Sequence, residues 1–299
     1  MKIKNVTIAG AGVLGSQIAW QTAFKGFNVT VYDAFEKGIE NCKTYHNRYA
    51  KLFLSSKGAT KDEIENTLSR ITYTTNLKEA VMDADLISES VPENLEIKKA
   101  FYTELAKLAP QKTIFTSNSS TLLPSYYAIE TGRPEKFMAL HFSNPVWDAN
   151  IAEVMKHART GQEYFDIVTA FAKDIGMIPI PIHKEQPGYV LNSLLVPFLS
   201  AAQNLWFNEV SDFKSIDKTW MISTGAKSGP FGILDLVGME TVYNITLMDA
   251  KRTNNPALFK RAEKIKSEFI DKGRMGISSG RGFYTYPNPE YKNPDFLTK

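Results

Sequence analysis

The first 33 residues have the apolar and polar pattern of a strand, a glycine turn, a helix and a second strand. Residues 5–9 alternate polar and apolar side chains, as a half-buried strand does. Three glycines follow at once, and a helical run then leads to a second strand over residues 28–32, which ends in Asp33. This order predicts a βαβ unit.

The glycines have the spacing Gly10-x-Gly12-x-x-Gly15. The first permits a tight turn, the second lets a pyrophosphate approach the backbone, and the third lets the helix pack against the strand. The pyrophosphate would then lie on the N–H groups at the positive end of the helix. The residues predicted to hold it are Gly10, Gly12, Val13, Leu14 and Gly15.

Asp33 stands where a carboxylate can accept hydrogen bonds from both ribose hydroxyls of an adenosine. A 2′-phosphate would meet like charge there, and Ala34 and Phe35 supply no arginine to receive one. The cofactor predicted is therefore NAD rather than NADP. The alternative is a glycine-rich turn in some other α/β fold, against which the flanking strand, helix and acid all argue.

Strand and helix patterns continue to alternate up to residue 182, which predicts a mostly parallel sheet. Beyond Pro187-Gly188 only helical patterns remain, including an almost wholly apolar run over residues 190–210. We therefore predict an α/β fold in which a Rossmann-type domain, residues 1–185, precedes an all-helical domain, residues 186–299. Helices are also predicted over residues 122–130 and 234–253.

Composition narrows the class of protein. With 299 residues, 43% hydrophobic and 22% charged, the chain suits an ordinary globular protein of two domains. A net charge of +3 is too small to indicate nucleic acid but suits an anionic ligand. Cys42 is the only cysteine, so no intrachain disulfide and no thiolate metal cluster is expected, and no metal site is predicted. No apolar run is long enough for a membrane helix, which favours a cytoplasmic protein.

Polar residues that follow predicted strands are the candidates for chemistry, because ligands bind at that edge of such sheets. His141 follows one strand, and a base of this type suits removal of an alcohol proton during NAD-dependent oxidation. Glu153 lies within the next apolar strand and could orient the imidazole. The alternatives are a structural histidine, and an edge strand with Glu153 in water.

Two further polar residues could contact a substrate. Ser120, after a strand, could donate a hydrogen bond to the substrate oxygen, or it could simply cap a helix, a role open to Ser119 and Thr121 as well. Asn192 interrupts an apolar run, where it could reach a substrate carbonyl or be a buried structural amide. His46 and His157 are predicted to lie on the surface.

In combination these motifs resemble the L-3-hydroxyacyl-CoA dehydrogenase family, including the 3-hydroxybutyryl-CoA dehydrogenases. The resemblance extends over nearly the whole chain. It rests on the glycine turn, Glu93, Lys98, Ser117-Asn118-Ser119-Ser120, His141-Phe142-Ser143-Asn144-Pro145, Glu153-Val154, Pro187 to Asn192, Gly229-Pro230-Phe231 with Leu234-Asp235, and Gly280-Arg281-Gly282-Phe283-Tyr284.

The resemblance implies NAD-dependent, reversible oxidation of a short L-3-hydroxyacyl-CoA, within fatty acid metabolism, by a homodimer that the helical domain makes. It implies that His141 is the general base and Glu153 its partner, and that Ser120 and Asn192 bind the reacting end of the substrate. Glu93, Lys98, Asn118 and Asn144 would lie along the nicotinamide side of the cofactor. The helical region with His46, Arg48 and Lys51 would meet the CoA phosphates.

Some positions depart from the family pattern. Ser143 replaces an aromatic residue, residues 146–152 differ from the usual segment before the glutamate, Ser193 replaces an arginine, and residues 276–279 lack a lysine. These changes concern the surroundings of the substrate and cofactor, while the catalytic set is complete. Two alternatives therefore stay open: a non-CoA 3-hydroxy acid such as carnitine or a sugar acid as substrate, and a non-catalytic NAD-binding protein.

Overall fold

The computed structural model describes residues 2–298. The chain forms two compact units, of which the first ends at Leu191 and the second begins at Asn192. The domain boundary predicted between residues 185 and 186 lies slightly earlier in the chain and stays a prediction.

The first unit is built on one sheet, and its strands occur in the spatial order β3-β2-β1-β4-β5-β6-β7-β8. All neighbouring pairs are parallel except β6 and β7, which are antiparallel. The predicted α/β fold with a mostly parallel sheet is thereby confirmed. The strands are β1 (Asn5–Ala9), β2 (Asn28–Tyr32), β3 (Ile71–Thr74), β4 (Leu86–Glu89), β5 (Ile114–Ser117), β6 (Phe137–Phe142), β7 (Ile151–Met155) and β8 (Ile178–Ile182).

Helices cover this sheet, and apolar side chains fill the space on both of its faces. Ile8 belongs to one apolar cluster and its neighbour Ala9 to the other, since successive side chains of a strand point to opposite faces. Every residue of β4, β5 and β6 is buried, as expected for central strands with two covered faces. The helices are α1 (Val13–Phe24), α2 (Glu36–Ser56), α3 (Lys61–Ser69), α4 (Leu77–Val81), α5 (Leu95–Leu108) and α6 (Gln162–Asp174).

Short-range sequence signals explain several helix starts. The Thr60 side chain accepts a hydrogen bond from the Glu63 N–H, and the Glu63 carboxylate accepts one from the Thr60 N–H, which is the predicted capping box of α3. Asn76 and Asn94 cap α4 and α5 through their side-chain oxygens. Each cap satisfies backbone donors that a helix leaves unpaired at its start.

The second unit is helical and has an aromatic core of its own. Phe283 is central to it, with ring centroids 4.6 Å from Phe231 and 5.3 Å from Trp206. Its helices are α7 (Leu191–Phe207), which begins at the last residue of the first unit, α8 (Phe213–Thr224), α9 (Pro230–Val237), α10 (Met239–Thr253) and α11 (Pro256–Glu268). The helical C-terminal part predicted from the sequence is confirmed.

A fully buried carboxylate, Asp217, fixes the start of α9. It accepts hydrogen bonds from the N–H groups of Phe231 (2.8 Å) and Gly232 (3.1 Å) and from the Tyr284 hydroxyl (2.9 Å). These donors compensate part of the cost of removing the charge from water. Burial nevertheless raises the pKa of Asp217 to about 6.

A second buried carboxylate, Asp235, explains the glycine motif near the end of the chain. It accepts hydrogen bonds from the N–H groups of Phe283 (2.7 Å) and Tyr284 (2.8 Å). A Cβ on Gly282 would lie 2.0 Å from the Asp235 Oδ1 atom, so only glycine lets the backbone come this close. The Gly280-Arg281-Gly282-Phe283-Tyr284 motif therefore has a structural role in the core.

Two of the predicted helices are wrong in extent. Residues 122–130 contain only a short 3₁₀ helix, Pro124–Tyr126, after which the buried Tyr127 ring packs 5.4 Å from Tyr102. Tertiary packing of that ring overrides the local helical preference. The helix predicted over residues 234–253 is divided at Gly238, whose φ of +90° no helix can contain.

Candidate active site

The three glycines of the first turn occupy positions that exclude or disfavour side chains. Gly10 has a φ of +110°, and a Cβ on it would lie 2.4 Å from the Ser90 carbonyl oxygen. A Cβ on Gly15 would lie 1.9 Å from the Gly10 carbonyl oxygen. Gly12 differs, because nothing lies within 4 Å of a Cβ placed there. The turn is thus closed on two sides and open in front of Gly12.

The open side of Gly12 faces a cavity of about 330 Å³. Gly12 is the N-cap of α1, no side chain caps this helix, and its first turn carries no acid. Uncapped N–H groups and the positive end of the helix dipole suit an anionic pyrophosphate. The residues present therefore fit NAD. The sequence-predicted residues that line the cavity are Gly12, Val13, Leu14, Gly15, Glu93, Lys98, Asn118 and Ser120; Ser90, Val91 and Thr121 line it too and were missed.

Asp33 lies at the end of β2, as predicted. Its Oδ2 atom accepts a hydrogen bond from the Ala11 N–H (2.9 Å), and Oδ1 accepts one from the Phe35 N–H (3.0 Å). A Cβ on Gly38 would lie 2.4 Å from its carboxyl carbon, so α2 also approaches it closely. The carboxylate is held beside the glycine turn with acceptor positions left over, because each of its oxygens can accept two hydrogen bonds.

His141 and Glu153 face each other across the antiparallel pair of β6 and β7. They are directly opposed in register, which puts their side chains on the same face. The His141 Nδ1 atom lies 3.0 Å from the Glu153 Oε2 atom, and Nε2 lies 3.0 Å from the Ser120 Oγ atom. Because an ionised carboxylate only accepts, Nδ1 carries the proton and the Nε2 lone pair faces Ser120.

The environment of Glu153 favours its ionised form. Burial opposes ionisation, but hydrogen bonds from His141 and from the N–H groups of Leu191 and Val190 outweigh it and hold the pKa below its ordinary value. Both backbone N–H groups lie 2.9 Å from Oε1. The carboxylate can therefore stabilise an imidazolium at His141.

The loop after β5 leaves the Ser120 hydroxyl free of a capping role. The Ser119 Oγ atom, not that of Ser120, accepts the Leu122 N–H (2.9 Å), and it donates to Glu93 (2.6 Å). Asn118 is held by the Phe142 N–H, which donates to its Oδ1 atom (2.8 Å). Ser120 thus remains available to His141 and to a ligand in the cavity.

A buried charge network that the sequence analysis missed supports this loop. Glu89 ends β4 with no exposure, and it accepts hydrogen bonds from Lys98 (2.5 Å), Ser117 (2.7 Å) and Tyr102 (3.1 Å). Lys98 also lies 3.5 Å from Glu93. A buried carboxylate and a buried ammonium stabilise each other only when paired in this way. The signal in the sequence was an acid at the end of an otherwise apolar strand.

Two residues predicted for the site, Asn144 and Asn192, do not line the cavity. The Asn144 Oδ1 atom accepts a hydrogen bond from Gln17 (2.9 Å), and Asn144 does not line the cavity. Asn192 lies in the first turn of α7, where the second unit begins. The functions expected of both stay predictions.

The predicted surface positions of two histidines are wrong. His46 is 1% exposed, and its ring nitrogens lie 2.6 Å from the Tyr73 hydroxyl and 2.9 Å from the Ser16 carbonyl oxygen. Burial lowers its pKa to about 4, so it cannot offer a charge to CoA phosphates near neutral pH. His157 is 5% exposed, and burial lowers its pKa as well.

Residues 2–298 contain neither a candidate metal site nor a candidate membrane span. No group of three or more histidine, cysteine, aspartate or glutamate side chains in that range is placed to hold a metal ion. None of the helices in the described part of the chain is long and apolar enough to cross a bilayer.

Comparisons with known proteins identify the family of the chain. Residues 5–186 match the family profile described as 3-hydroxyacyl-CoA dehydrogenase, NAD binding domain, and residues 188–286 match the profile of its C-terminal domain. The chain belongs to the 3-hydroxyacyl-CoA dehydrogenase family. It is accordingly an oxidoreductase whose cofactor is NAD.

Three relatives cover almost the whole chain. Human mitochondrial hydroxyacyl-coenzyme A dehydrogenase is 33% identical over 95% of this chain and 91% of that protein. A probable 3-hydroxybutyryl-CoA dehydrogenase of Bacillus subtilis is 32% identical over 96% of this chain and 98% of that protein. A solved structure of a diketoreductase, described as catalysing reactions of dicarbonyl compounds, is 48% identical over 96% of this chain and all of that chain, with a TM-score of 0.90.

Proposed function

We propose that this enzyme interconverts a short-chain L-3-hydroxyacyl-CoA, such as 3-hydroxybutyryl-CoA, and the corresponding 3-oxoacyl-CoA. The observation that carries the proposal is the hydrogen-bonded series Ser120–His141–Glu153, with Ser120 on the wall of the cavity that fits NAD. An alcohol oxidation needs a base beside a hydride acceptor, and this series supplies the base.

In this mechanism His141 accepts the hydroxyl proton of the substrate and returns it in the reverse reaction. Bound NAD⁺ supplies the acceptor for the hydride that leaves carbon 3. The Nε2 atom of His141 takes the hydroxyl proton, and the ionised Glu153 stabilises the imidazolium that results. Ser120, whose Oγ atom lies 3.0 Å from Nε2, would donate its hydrogen bond to the reacting oxygen when substrate is bound. In the reverse direction the imidazolium returns its proton to the alkoxide.

Other residues would bind the cofactor and the substrate. The glycine turn would hold the pyrophosphate, and Asp33 would accept hydrogen bonds from the adenosine ribose. We further propose that Glu93, Lys98, Asn118 and Asn144 lie along the nicotinamide side and that Asn192 contacts the substrate. Glu93, Lys98 and Asn118 are proposed because they line the cavity. Asn144 and Asn192 are proposed because of the family resemblance.

A second candidate is a dicarbonyl compound that carries no CoA. The diketoreductase, at 48% identity over its full length, supports it more specifically than the curated relatives support a thioester. The departure of the segment after Pro145 from the family pattern also motivates it. In that segment the Trp147 ring packs 4.8 Å from Tyr49 and 5.3 Å from Phe53. Asp148 of the same segment pairs with Lys57, the residue that follows α2.

The substrates can be separated with the unmodified protein. We would measure NADH oxidation with acetoacetyl-CoA, with free acetoacetate and with a simple dicarbonyl compound that carries no CoA, and repeat each with NADPH. Turnover with the CoA ester alone supports the first candidate, while turnover with the free dicarbonyl and no inhibition by free CoA supports the second. Preference for NADPH would contradict the role of Asp33, and no turnover with any compound despite NADH binding would contradict both candidates.

We also propose that the protein is a homodimer in the cytoplasm. In the second unit, α7, α9 and α10 border an apolar groove of about 360 Å³ that a second copy could cover. Arg261 lines this groove, is 2% exposed, and has no partner for its Nε atom within the described residues. Size-exclusion chromatography with light scattering measures the molar mass of the protein, and a monomer at micromolar concentration would contradict the proposed dimer.

A further inference from the structure

Tyr189 covers one face of the histidine ring. The ring centroids of Tyr189 and His141 are 4.4 Å apart, and the ring planes differ by only 18°. Tyr189 is 2% exposed, so this stacked arrangement is enclosed by protein. The imidazole is therefore held in its plane by the tyrosine face and at its edges by Glu153 and Ser120.

The tyrosine also reaches the loop that carries Ser120. Its hydroxyl donates a hydrogen bond of 2.6 Å to the Ser119 carbonyl oxygen. Burial raises the pKa of Tyr189 well above its ordinary value, so the hydroxyl remains a donor throughout the working pH range. The Tyr189 side chain thus contacts His141 and also fixes Ser119, the residue before Ser120.

The backbone at this position is strained in a way that serves the same site. Tyr189 has a φ of +57°, the left-handed region that side chains other than glycine, asparagine and aspartate rarely adopt. Directly after it, the N–H groups of Val190 and Leu191 both donate to the Glu153 Oε1 atom at 2.9 Å. Such strain persists only where the surroundings hold the residue, and it concentrates at functional sites.

We propose that Tyr189 is a positioning residue for the proton transfer at His141. Its ring confines the imidazole so that Nδ1 points to Glu153 and Nε2 to the reacting oxygen, and its π face favours the imidazolium over the neutral ring. Its hydroxyl keeps the Ser119–Ser120 loop at the distance that Nε2 needs. This inference rests on the proposed role of His141 as the base.

Acidic, phenolic and cationic side chains surround the stacked rings. Glu153 on β7 faces the imidazole directly, and Glu89 on β4, Glu93 and Tyr127 are the further groups whose charges act on Tyr189. Lys98 pairs with Glu89 at 2.5 Å and lies 3.5 Å from Glu93, so a cation stands beside each of those two acids. Glu153 and the aromatic face are the groups left to stabilise an imidazolium. Removal of the ring leaves the acids in place and isolates its contribution.

The test compares two variants at Tyr189 with one control at another tyrosine. Tyr189→Phe keeps the ring and loses the hydroxyl, Tyr189→Leu loses both, and Tyr126→Leu is the control, since Tyr126 is 49% exposed in the same unit. We expect Tyr189→Leu to lower kcat by roughly 10- to 100-fold, the usual effect of a misplaced catalytic group, with NADH affinity unchanged. We expect a loss of about threefold from Tyr189→Phe, the effect of one lost neutral hydrogen bond.

The pH profile separates positioning from mere support of the fold. For alcohol oxidation, the acid limb of the kcat profile of Tyr189→Leu should move to lower pH by about half a unit, because a less stabilised imidazolium releases its proton more readily. Tyr189→Phe and the control should keep the wild-type profile. If Tyr189→Leu does not fold, Tyr189→Met fills the space with a flexible chain and is held to the same expectations.

Two results would overturn the inference. One is a folded Leu or Met variant with kcat within threefold of wild type and an unmoved profile. The other is a fall in kcat that equals the fall in the fraction of protein able to bind NADH, with the pH profile of kcat unchanged. A His141→Asn protein with normal turnover would instead refute the proposed function, so the two failures can be distinguished.

Discussion

Replacement of Glu153 by glutamine tests the arrangement around the base with a change of a single atom. The carboxylate accepts three hydrogen bonds: one from His141 at 3.0 Å and two from backbone N–H groups at 2.9 Å. A glutamine has only one acceptor oxygen. With that oxygen on the two backbone donors, its NH₂ group must face the histidine.

The expected magnitude follows from the tautomer. Since Nδ1–H and NH₂ are both donors, the imidazole is driven to carry its proton on Nε2, where the base should have a lone pair. The corresponding aspartate-to-asparagine change in a serine-protease triad lowers kcat about 10⁴-fold, and we expect a loss of roughly 10³- to 10⁴-fold here. This corresponds to about 4–5.5 kcal/mol of transition-state stabilisation. The fold should survive, because the backbone donors Val190 and Leu191 remain bonded to the side-chain oxygen.

The assay is NADH oxidation with saturating substrate, combined with NADH titration by fluorescence and thermal unfolding. The matched control is Glu163→Gln, the same substitution at an exposed position of α6. The control should be indistinguishable from wild type. A Glu153→Gln protein that binds NADH and turns over within tenfold of wild type would refute the reasoning.

Two further predictions concern the cofactor turn and the second unit. Gly12→Ala should leave the melting temperature within a few degrees, since its Cβ meets nothing within 4 Å, yet weaken NADH binding at least about tenfold by occupying the approach of the pyrophosphate. Gly15→Ala, whose Cβ would meet a carbonyl oxygen at 1.9 Å, should lose both thermal stability and NADH binding. Equal NADH affinity in wild type and Gly12→Ala would contradict the proposed pyrophosphate site. Burial raises the pKa of Asp217 to about 6, so the folded protein binds its proton more tightly than the unfolded chain, and this group stabilises the fold fully below about pH 4 and loses about 3 kcal/mol as pH rises through 6. Asp217→Asn should therefore flatten the dependence of the urea midpoint between pH 4.5 and 7.5, and an unchanged slope would show that the carboxylate is already ionised at the lower pH.

The parts of the structure that could be predicted from the sequence are those with short-range signals. The βαβ unit, the capping box at Thr60 and the change to helices after Gly188 each depend on residues close together in the chain. The approach of His141 to Glu153 could be predicted as well, because an acid within an apolar strand needs a partner and a histidine ended the strand before it.

The features that could not be predicted depend on contacts distant in sequence. The residues around His46 in the sequence are those of a surface helix, but the fold places its ring against the Tyr73 hydroxyl and the Ser16 carbonyl oxygen. Gly238 divides a continuous helical pattern because its backbone has a positive φ, which no periodicity reveals. The stacking of Tyr189 on His141 joins residues 48 positions apart and has no signal in the pattern around either.

The central claim is that His141 is the base, and it is tested most directly by His141→Asn in a single-turnover reaction. Asparagine can still donate to Glu153 but cannot take a proton, so the protein should fold, bind NADH with wild-type affinity, and transfer hydride at least about 100-fold more slowly, the usual effect of removing a general base. Hydride transfer at the wild-type rate by a folded, NADH-binding His141→Asn protein would contradict the account.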